Sequence, residues 1–485
     1  MIEGLREPAG LGAGGGRPDF NGRWITEPAD MAPFLSDWRH RWTGSAYAVA
    51  QPDTAADVAA VVAWCHEQRR PIVPQGGNTG LSGGATPTQQ GDAVVLSLTR
   101  MARVREVDTV NDTITVEAGV TLLQVQEAAR AAGRLFPLSL AAEGSCTIGG
   151  NLATNAGGVQ VLRYGNAREL CLGLEVVTPE GEVWDGLRGL RKDNTGYDLR
   201  DLFIGSEGTL GVITAAVLKL HALPTRQVCA VGAVASPDAA LRLLALAKQQ
   251  LGPSLTAFEL FSDTCMDLVL KHVPAARQPM PTRSPWYVLL ESSESGSDDG
   301  TSESAAMQRL LEAALEQGAL DDAAVSTSLA QFEALWLLRE GISESQGAEG
   351  KTIKHDIALP ISLLGRFIAE ASEAIARHTS DARLVVFGHL GDGNLHYNLS
   401  PAAGVATATF EALEAPLNRI VHDLVAQYRG SISAEHGLGV LRRDESQRYK
   451  SAVELRLMRA IKQAIDPLGL MNPGKLLGSA SGEPG

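Results

Sequence analysis

The sequence predicts an α+β protein of more than one domain, on three observations. A chain of 485 residues is longer than one hydrophobic core organises. From about residue 46 to about residue 223, short apolar strands alternate with helices and with turns rich in Gly and Asn. Beyond about residue 224, longer amphipathic helices interleave with apolar strands, the pattern of an antiparallel sheet covered by helices. The expected division is a leader over residues 1–41, a first domain over 42–223, a second domain over 224–430, and a C-terminal segment over 431–485.

Within the first region strands are expected over residues 93–98, 113–118, 173–178 and 211–220. Helices fit residues 53–69, with Asp53 or Thr54 as N-cap, and residues 121–132. In the second region helices are expected over 237–250, 304–317 and 330–346, and a strand over 286–291. The polar run over 292–304 reads as a solvated loop. Turn residues follow one another from Asp466 to Lys475, closing a C-terminal helix.

Composition narrows the function. The chain is 44% hydrophobic and 20% charged, with no apolar run long enough to span a bilayer. A net charge of −14 argues against a nucleic-acid partner and means that an anionic ligand would need local cations. Five cysteines, odd in number and without a CxxC pair, suit a reducing compartment and offer no thiolate metal site. The first twenty residues lack the apolar core of a secretion signal and carry early acidic residues. The expectation is a soluble, cytoplasmic protein with a flexible leader and no transmembrane segment.

Three glycine-rich blocks carry the first signal. Pro74-Gln75-Gly76-Gly77-Asn78-Thr79-Gly80 follows a short apolar strand, and its backbone N–H groups could form a nest for a pyrophosphate. Alone, a glycine-rich hairpin or loop is the commoner explanation; it is neither a Walker loop nor a GxGxxG fingerprint. The second block runs from Gly144-Ser145-Cys146-Thr147-Ile148-Gly149 through Asn151 and Asn155 to Gly158, and the third is Gly205-Ser206-Glu207-Gly208-Thr209-Leu210-Gly211-Val212-Ile213. In this order and spacing the three resemble the FAD-binding domain of the vanillyl-alcohol oxidase superfamily. The resemblance implies FAD lying extended between two α+β subdomains. Gly76, Gly77, Asn78, Thr79 and Gly80 would wrap the pyrophosphate. Thr147, Ile148, Gly149, Asn151, Asn155 and Gly158 would line the ribityl and flavin portion, with Gly211 and Ile213 beside the adenine. Pro74, Gly144, Ser145 and, in the tail, Asn472 belong to the same cofactor set. No histidine lies between Glu67 and Leu220 to take a covalent flavin link, so dissociable FAD is expected.

The second signal is Gly388-His389-Leu390-Gly391-Asp392-Gly393-Asn394-Leu395-His396, answered by Glu435-His436-Gly437. If the turn Gly391–Asn394 closes a hairpin with residues 390 and 395 opposed, His389 and His396 are also opposed, on one face, with Asn398 pointing the same way. Glu435 would complete a two-histidine, one-carboxylate set for a divalent metal with an open position, and the adjacent His436 is placed to be a base. Singly, each has a plainer reading: a structural turn histidine, an ion-pair glutamate, a surface histidine. Together HxGDGNxH and EHG resemble the C-terminal half of the FAD-dependent D-2-hydroxy-acid dehydrogenases. There the metal is typically zinc and the second-motif histidine is the base.

On the expected helix over 330–346, Arg339 and Ser343 are four apart and share a face. With Lys354 they resemble the D-2-hydroxyglutarate dehydrogenase branch, in which an Arg, a Thr or Ser, and a Lys hold a distal carboxylate. Ser343 stands where Thr is common and His355 where an aromatic is common. The resemblance thus implies oxidation of a D-2-hydroxy acid, D-2-hydroxyglutarate to 2-oxoglutarate being favoured and D-lactate or glycolate the alternative. His436 would be the base, the hydride would go to flavin N5, and Asn398 would bind the C1 carboxylate. An electron-transfer flavoprotein or a quinone is the expected acceptor, and a homodimer is an open expectation. A flavin-bearing scaffold subunit and a metal hydrolase are the rival classes; the latter leaves the glycine blocks unexplained.

Overall fold

The computed structural model describes residues 16–295 and 302–478. Residues 1–15 of the expected leader and 296–301 of the expected solvated loop lie outside the described residues. The first half contains a four-stranded sheet in the order Gly22–Ile25, Ala48–Pro52, Val94–Ser97, Ile72–Gln75. The last three strands are parallel and are largely apolar runs, as strands covered on both faces require. Gly22–Ile25 pairs antiparallel with Ala48–Pro52. This corrects the reading of residues 1–41 as a leader: the part from Gly22 is an edge strand and a helix, Pro28–Leu35.

Helix Ala55–Glu67 begins at Thr54, whose hydroxyl accepts the Asp57 N–H at 3.2 Å. Its Val58, Val61, Val62 and Cys65 wedge between this sheet and residues Val177 and Val212 of the next. The next sheet is antiparallel and five-stranded, in the order Val104–Asp108, Thr113–Glu117, Val212–Lys219, Cys171–Val177, Val183–Gly186. Helix Leu122–Ala131 covers it, started by a capping box between Thr121 and Gln124.

The second half is one antiparallel seven-stranded sheet in the order Asp322–Val325, Arg226–Val234, Trp286–Glu294, Leu255–Ser262, Ala382–Gly388, Asn394–Pro401, Asp356–Ala358. Alternation sorts its side chains. Phe258, Leu260, Leu395, Tyr397 and Leu399 enter the larger core, beneath helices Pro237–Leu251, Leu364–His378 and Glu414–Gln427. Ala257, Phe261 and Phe387 enter the opposite core, against helices Asp263–His272 and Leu329–Glu340. Glu259, His396 and Asn398 share parity with this second set, so the strand period alone brings them to one face. The helix expected over 330–346 is two, Leu329–Glu340 and Ile342–Ala348, divided at Gly341. After helix Ala452–Ile465 the tail returns to the first sheet, where the Ile72 N–H donates to Leu470 O at 2.8 Å and Met471 is fully buried. Among the described residues no helix is long and apolar enough to cross a membrane.

Candidate active site

A cavity runs between the two sheets of the first half. Pro74, Gly76, Gly77, Asn78, Thr79 and Gly80 line it from one side, Thr147, Gly149 and Asn151 from another, and Gly211 and Ile213 from the third. The close approach of the first two loops explains the glycines: a Cβ on Gly77 would collide with the Ser145 carbonyl oxygen. The buried Thr147 hydroxyl has no partner within the protein, so the wall presents an unsatisfied polar group as well as open backbone. These features fit FAD.

Other residues of the expected cofactor set stand back from this cavity. Ile148 is withdrawn, its side chain in the core of the five-stranded sheet and its N–H given to Val120 O at 2.9 Å. Asn155 adopts φ +52° and accepts the Arg168 N–H at 2.9 Å, and Gly158 packs on the Ser139 carbonyl. Gly144 and Ser145 form the outer turn rather than the lining. Asn472 is a tie: its amide donates to Gly84 O at 2.9 Å and to Glu207 O at 2.7 Å. Glu207 itself was missed in the sequence, although it lies within the third glycine block. It lines the cavity, and its two carboxylate oxygens accept the Leu438 and Gly439 N–H groups, each at 2.8 Å. Burial raises its pKa, against those two bonds.

At one end of the cavity stands His436. Its Nδ1 lies 2.9 Å from Asp356 Oδ2, an oxygen that also accepts the backbone N–H groups of Glu435 at 2.9 Å and His436 at 3.1 Å. The other oxygen of Asp356 accepts the Asn394 amide at 2.9 Å. With Nδ1 so engaged, Nε2 is the nitrogen free to act. Burial works against a charged His436, but the Asp356 carboxylate outweighs it and raises the pKa above the ordinary value.

His389, His396 and Glu435 converge beside it, with ligand atoms all within 4.8 Å of one another. The Nε2 atoms of His389 and His396 lie 3.4 and 3.8 Å from the two oxygens of Glu435. The hairpin register differs from the expected one. His396 is opposite Phe387, and His389 lies beyond the strand in the turn, diagonal to it. A shift of two residues preserves the face, so the imidazoles still meet, with ring centroids 5.8 Å apart.

Glu259, a lone carboxylate in an apolar strand, accepts His389 Nδ1 at 2.8 Å and Arg339 Nε at 2.8 Å. It fixes His389 with Nε2 toward the cluster, the arrangement that metal-binding histidines use. Burial resists the charge on His389, yet Glu259 and Glu435 raise its pKa to about 10, whereas burial lowers that of His396 to about 4. Asp356, Glu435 and His436 form a second convergent group, but every oxygen of Asp356 is already bonded. The donor set that fits a divalent cation is therefore His389, His396 and Glu435.

The residues expected to hold substrate are only partly assembled. Arg339 is buried, stacked over Phe387 at 4.9 Å, and commits Nε to Glu259, leaving its Nη edge for a ligand. Ser343 is exposed, and no hydrogen bond links it to the cluster among the described residues. Asn398 is on the correct face, but its amide donates to Gln346 at 3.0 Å and its oxygen accepts the His355 N–H at 3.2 Å. Lys354 is half-buried beside His436, its pKa lowered to about 8 by burial and by Arg39. His355 is a fully buried ring set edge-on to His422, with centroids 5.4 Å apart.

Residues 46–186 match the FAD binding domain model, and residues 223–476 match the model of the C-terminal domain of FAD linked oxidases. The chain is 42% identical over 454 residues to a D-2-hydroxyglutarate dehydrogenase of Xanthomonas citri pv. viticola, covering 94% of each chain. It is 39% identical to the mitochondrial D-2-hydroxyglutarate dehydrogenase of Bos taurus, covering 94% of this chain and 81% of that one. The structure superposes on 4-ethylphenol oxidase from Gulosibacter chungangensis with a TM-score of 0.69 at 18% identity, over 94% of each chain, a likeness of fold.

Proposed function

Because this chain belongs to the FAD-dependent D-2-hydroxy-acid dehydrogenases of the vanillyl-alcohol oxidase superfamily, we propose that its substrate is D-2-hydroxyglutarate, oxidised to 2-oxoglutarate. The observation that carries this reading is His436, which lines the cofactor cavity and is hydrogen-bonded through Nδ1 to Asp356, next to the two-histidine, one-glutamate cluster. A 2-hydroxy acid lying there presents its hydroxyl to His436 and its Cα to the cofactor cavity. When bound, FAD supplies the hydride acceptor, and a divalent cation, zinc by the donor set, supplies positive charge for the C1 carboxylate and the hydroxyl.

The chain's own residues do the rest. His436 takes the hydroxyl proton on Nε2, and Asp356 holds the imidazole in the tautomer that can do so. Pro74, Gly76–Gly80, Thr147, Gly149, Asn151, Gly211 and Ile213 hold FAD, without a covalent link. His389, His396 and Glu435 hold the cation. Arg339 offers its Nη edge, and Lys354 its ammonium, to the distal carboxylate. The electron acceptor is an electron-transfer flavoprotein or a quinone.

An anaerobic screen of D- and L-2-hydroxy acids, read as flavin bleaching with and without a chelator, tests the reading. Bleaching by D-2-hydroxyglutarate that the chelator abolishes is the expected result. Bleaching by D-lactate or glycolate in preference, or indifference to the chelator, overturns the substrate or the metal assignment respectively. Acid precipitation should leave the polypeptide colourless and the flavin in solution.

A further inference from the structure

We propose that Arg39, carried by the N-terminal segment, is a specificity-determining residue that joins Lys354 and Arg442 in a cationic rim selecting substrates with a second carboxylate. The inference rests on the dehydrogenase reading above and concerns the same site.

The segment is docked there by identifiable contacts. Asp37, almost fully buried, accepts the Trp42 N–H at 2.6 Å and the Arg39 N–H at 3.0 Å, folding residues 37–42 into a tight turn. The Asn78 amide donates to Ser36 O at 2.8 Å, and the Trp42 ring covers Gly83 so closely that a Cβ there would strike it. The turn therefore sits on the loop that carries the first glycine block. That loop in turn holds the His436 segment: the Ser82 hydroxyl reaches His436 O at 3.3 Å, and Ser82 O accepts the Val440 N–H at 2.8 Å. A short way on, Arg442 donates from Nη2 to Lys354 O at 2.8 Å. Three cations from distant parts of the sequence thus arrive around one loop, the loop of the proposed base.

Arg442 lies in the field of Glu445, Glu414 and Asp356, but the other two cations have no such close counter-charge in an ion pair. Among the described residues neither Arg39 nor Lys354 has an ion-pair partner, whereas Arg41 is paired with Glu414 at 3.3 Å. Burial and the field of Arg39 together depress the pKa of Lys354, so these two cations sense one another. In a chain of net charge −14, two neighbouring cations without an ion pair are a local exception. A carboxylate supplied by the substrate is the missing partner. The C1 end of a hydroxy acid is engaged by the cation cluster, so it is the distal end that reaches this rim. Arg339 cannot close it alone, because Nε is committed to Glu259. Arg39, exposed where Lys354 is half-buried, forms the outer side.

Steady-state kinetics of the FAD-loaded enzyme with D-2-hydroxyglutarate and D-lactate test this. Arg39→Ala should raise KM for the dicarboxylate about five- to tenfold, with kcat nearly unchanged and kcat/KM for D-lactate altered less than about twofold. Arg39→Lys should recover part of the loss. The wild-type KM for the dicarboxylate should rise with ionic strength more steeply than that of Arg39→Ala. Equal losses on both substrates, or no change on either, overturn the role of Arg39. A wild-type enzyme that prefers D-lactate instead overturns the underlying reading, so the two failures are distinguishable. An unchanged flavin spectrum and melting temperature in Arg39→Ala show that the variant is folded.

Discussion

Asp356 Oδ2 lies 2.9 Å from His436 Nδ1 and also accepts the backbone N–H groups of Glu435 and His436. One buried carboxylate therefore sets the position of the loop, the orientation of the imidazole and the nitrogen left free for proton transfer. Asp356→Asn keeps the shape but can present an N–H to Nδ1 and favour the wrong tautomer. The rate of anaerobic flavin reduction should fall roughly a hundredfold to ten-thousandfold, with FAD still bound. A variant that reduces flavin at the wild-type rate would remove Asp356 from the mechanism.

Glu259 does for His389 what Asp356 does for His436. Glu259→Gln loses the charge that orients His389 and leaves Arg339 buried beside a neutral amide. Metal affinity should drop about 10- to 100-fold, read as the chelator concentration that abolishes activity. Unchanged chelator sensitivity counts against the metal assignment of His389.

Glu207 ties the third glycine block to the His436 loop through two hydrogen bonds. Glu207→Ala leaves the Leu438 and Gly439 N–H groups without an acceptor, at about 1–3 kcal/mol each. Chemical denaturation should show a lower midpoint, and Glu207→Gln, which keeps one acceptor oxygen, should fall between. Wild-type stability in Glu207→Ala would mean that the loop finds other partners.

Lys354 should make dicarboxylate binding pH-dependent. Its pKa, lowered to about 8 by burial and by Arg39, leaves it charged below that value and neutral above. It faces Arg39, Arg442 and His436, and the two guanidinium groups keep their charge throughout. KM for D-2-hydroxyglutarate should therefore rise as pH passes through about 8, while that for D-lactate stays flat. Lys354→Arg should move the rise out of range; parallel curves for both substrates refute the role.

Gly77→Ala places a methyl group against the Ser145 carbonyl and forces the first two blocks apart. The variant should purify largely free of flavin, measured as the ratio of 450 to 280 nm absorbance, with the second-half sheet folded and recognisable by its circular dichroism. Full flavin content would show that the loops can separate without loss of the site.

The sequence by itself determined the α+β class, the glycine blocks and the motifs HxGDGNxH and EHG, because these are written in local pattern; that the two motifs form one set was implied by the family resemblance. The facial agreement of His396 and Asn398 follows from the strand period, which survives even the register difference at His389. The tertiary structure alone decided which charges meet. Glu259 stands out in the sequence as a solitary carboxylate in an apolar strand, but nothing local says that its partners are Arg339 and His389, 80 and 130 residues away. Asp356 looks like one more strand residue until the chain brings it beneath His436, and Ser343 is exposed in the folded chain, with no hydrogen bond to the cluster among the described residues. Arg39 lies in what reads as a leader, yet an edge strand and a tight turn bring it to the rim. Hydrophobic periodicity is written along the chain, whereas the pairing of buried charges depends on a low-dielectric interior that exists only once distant segments have closed around it.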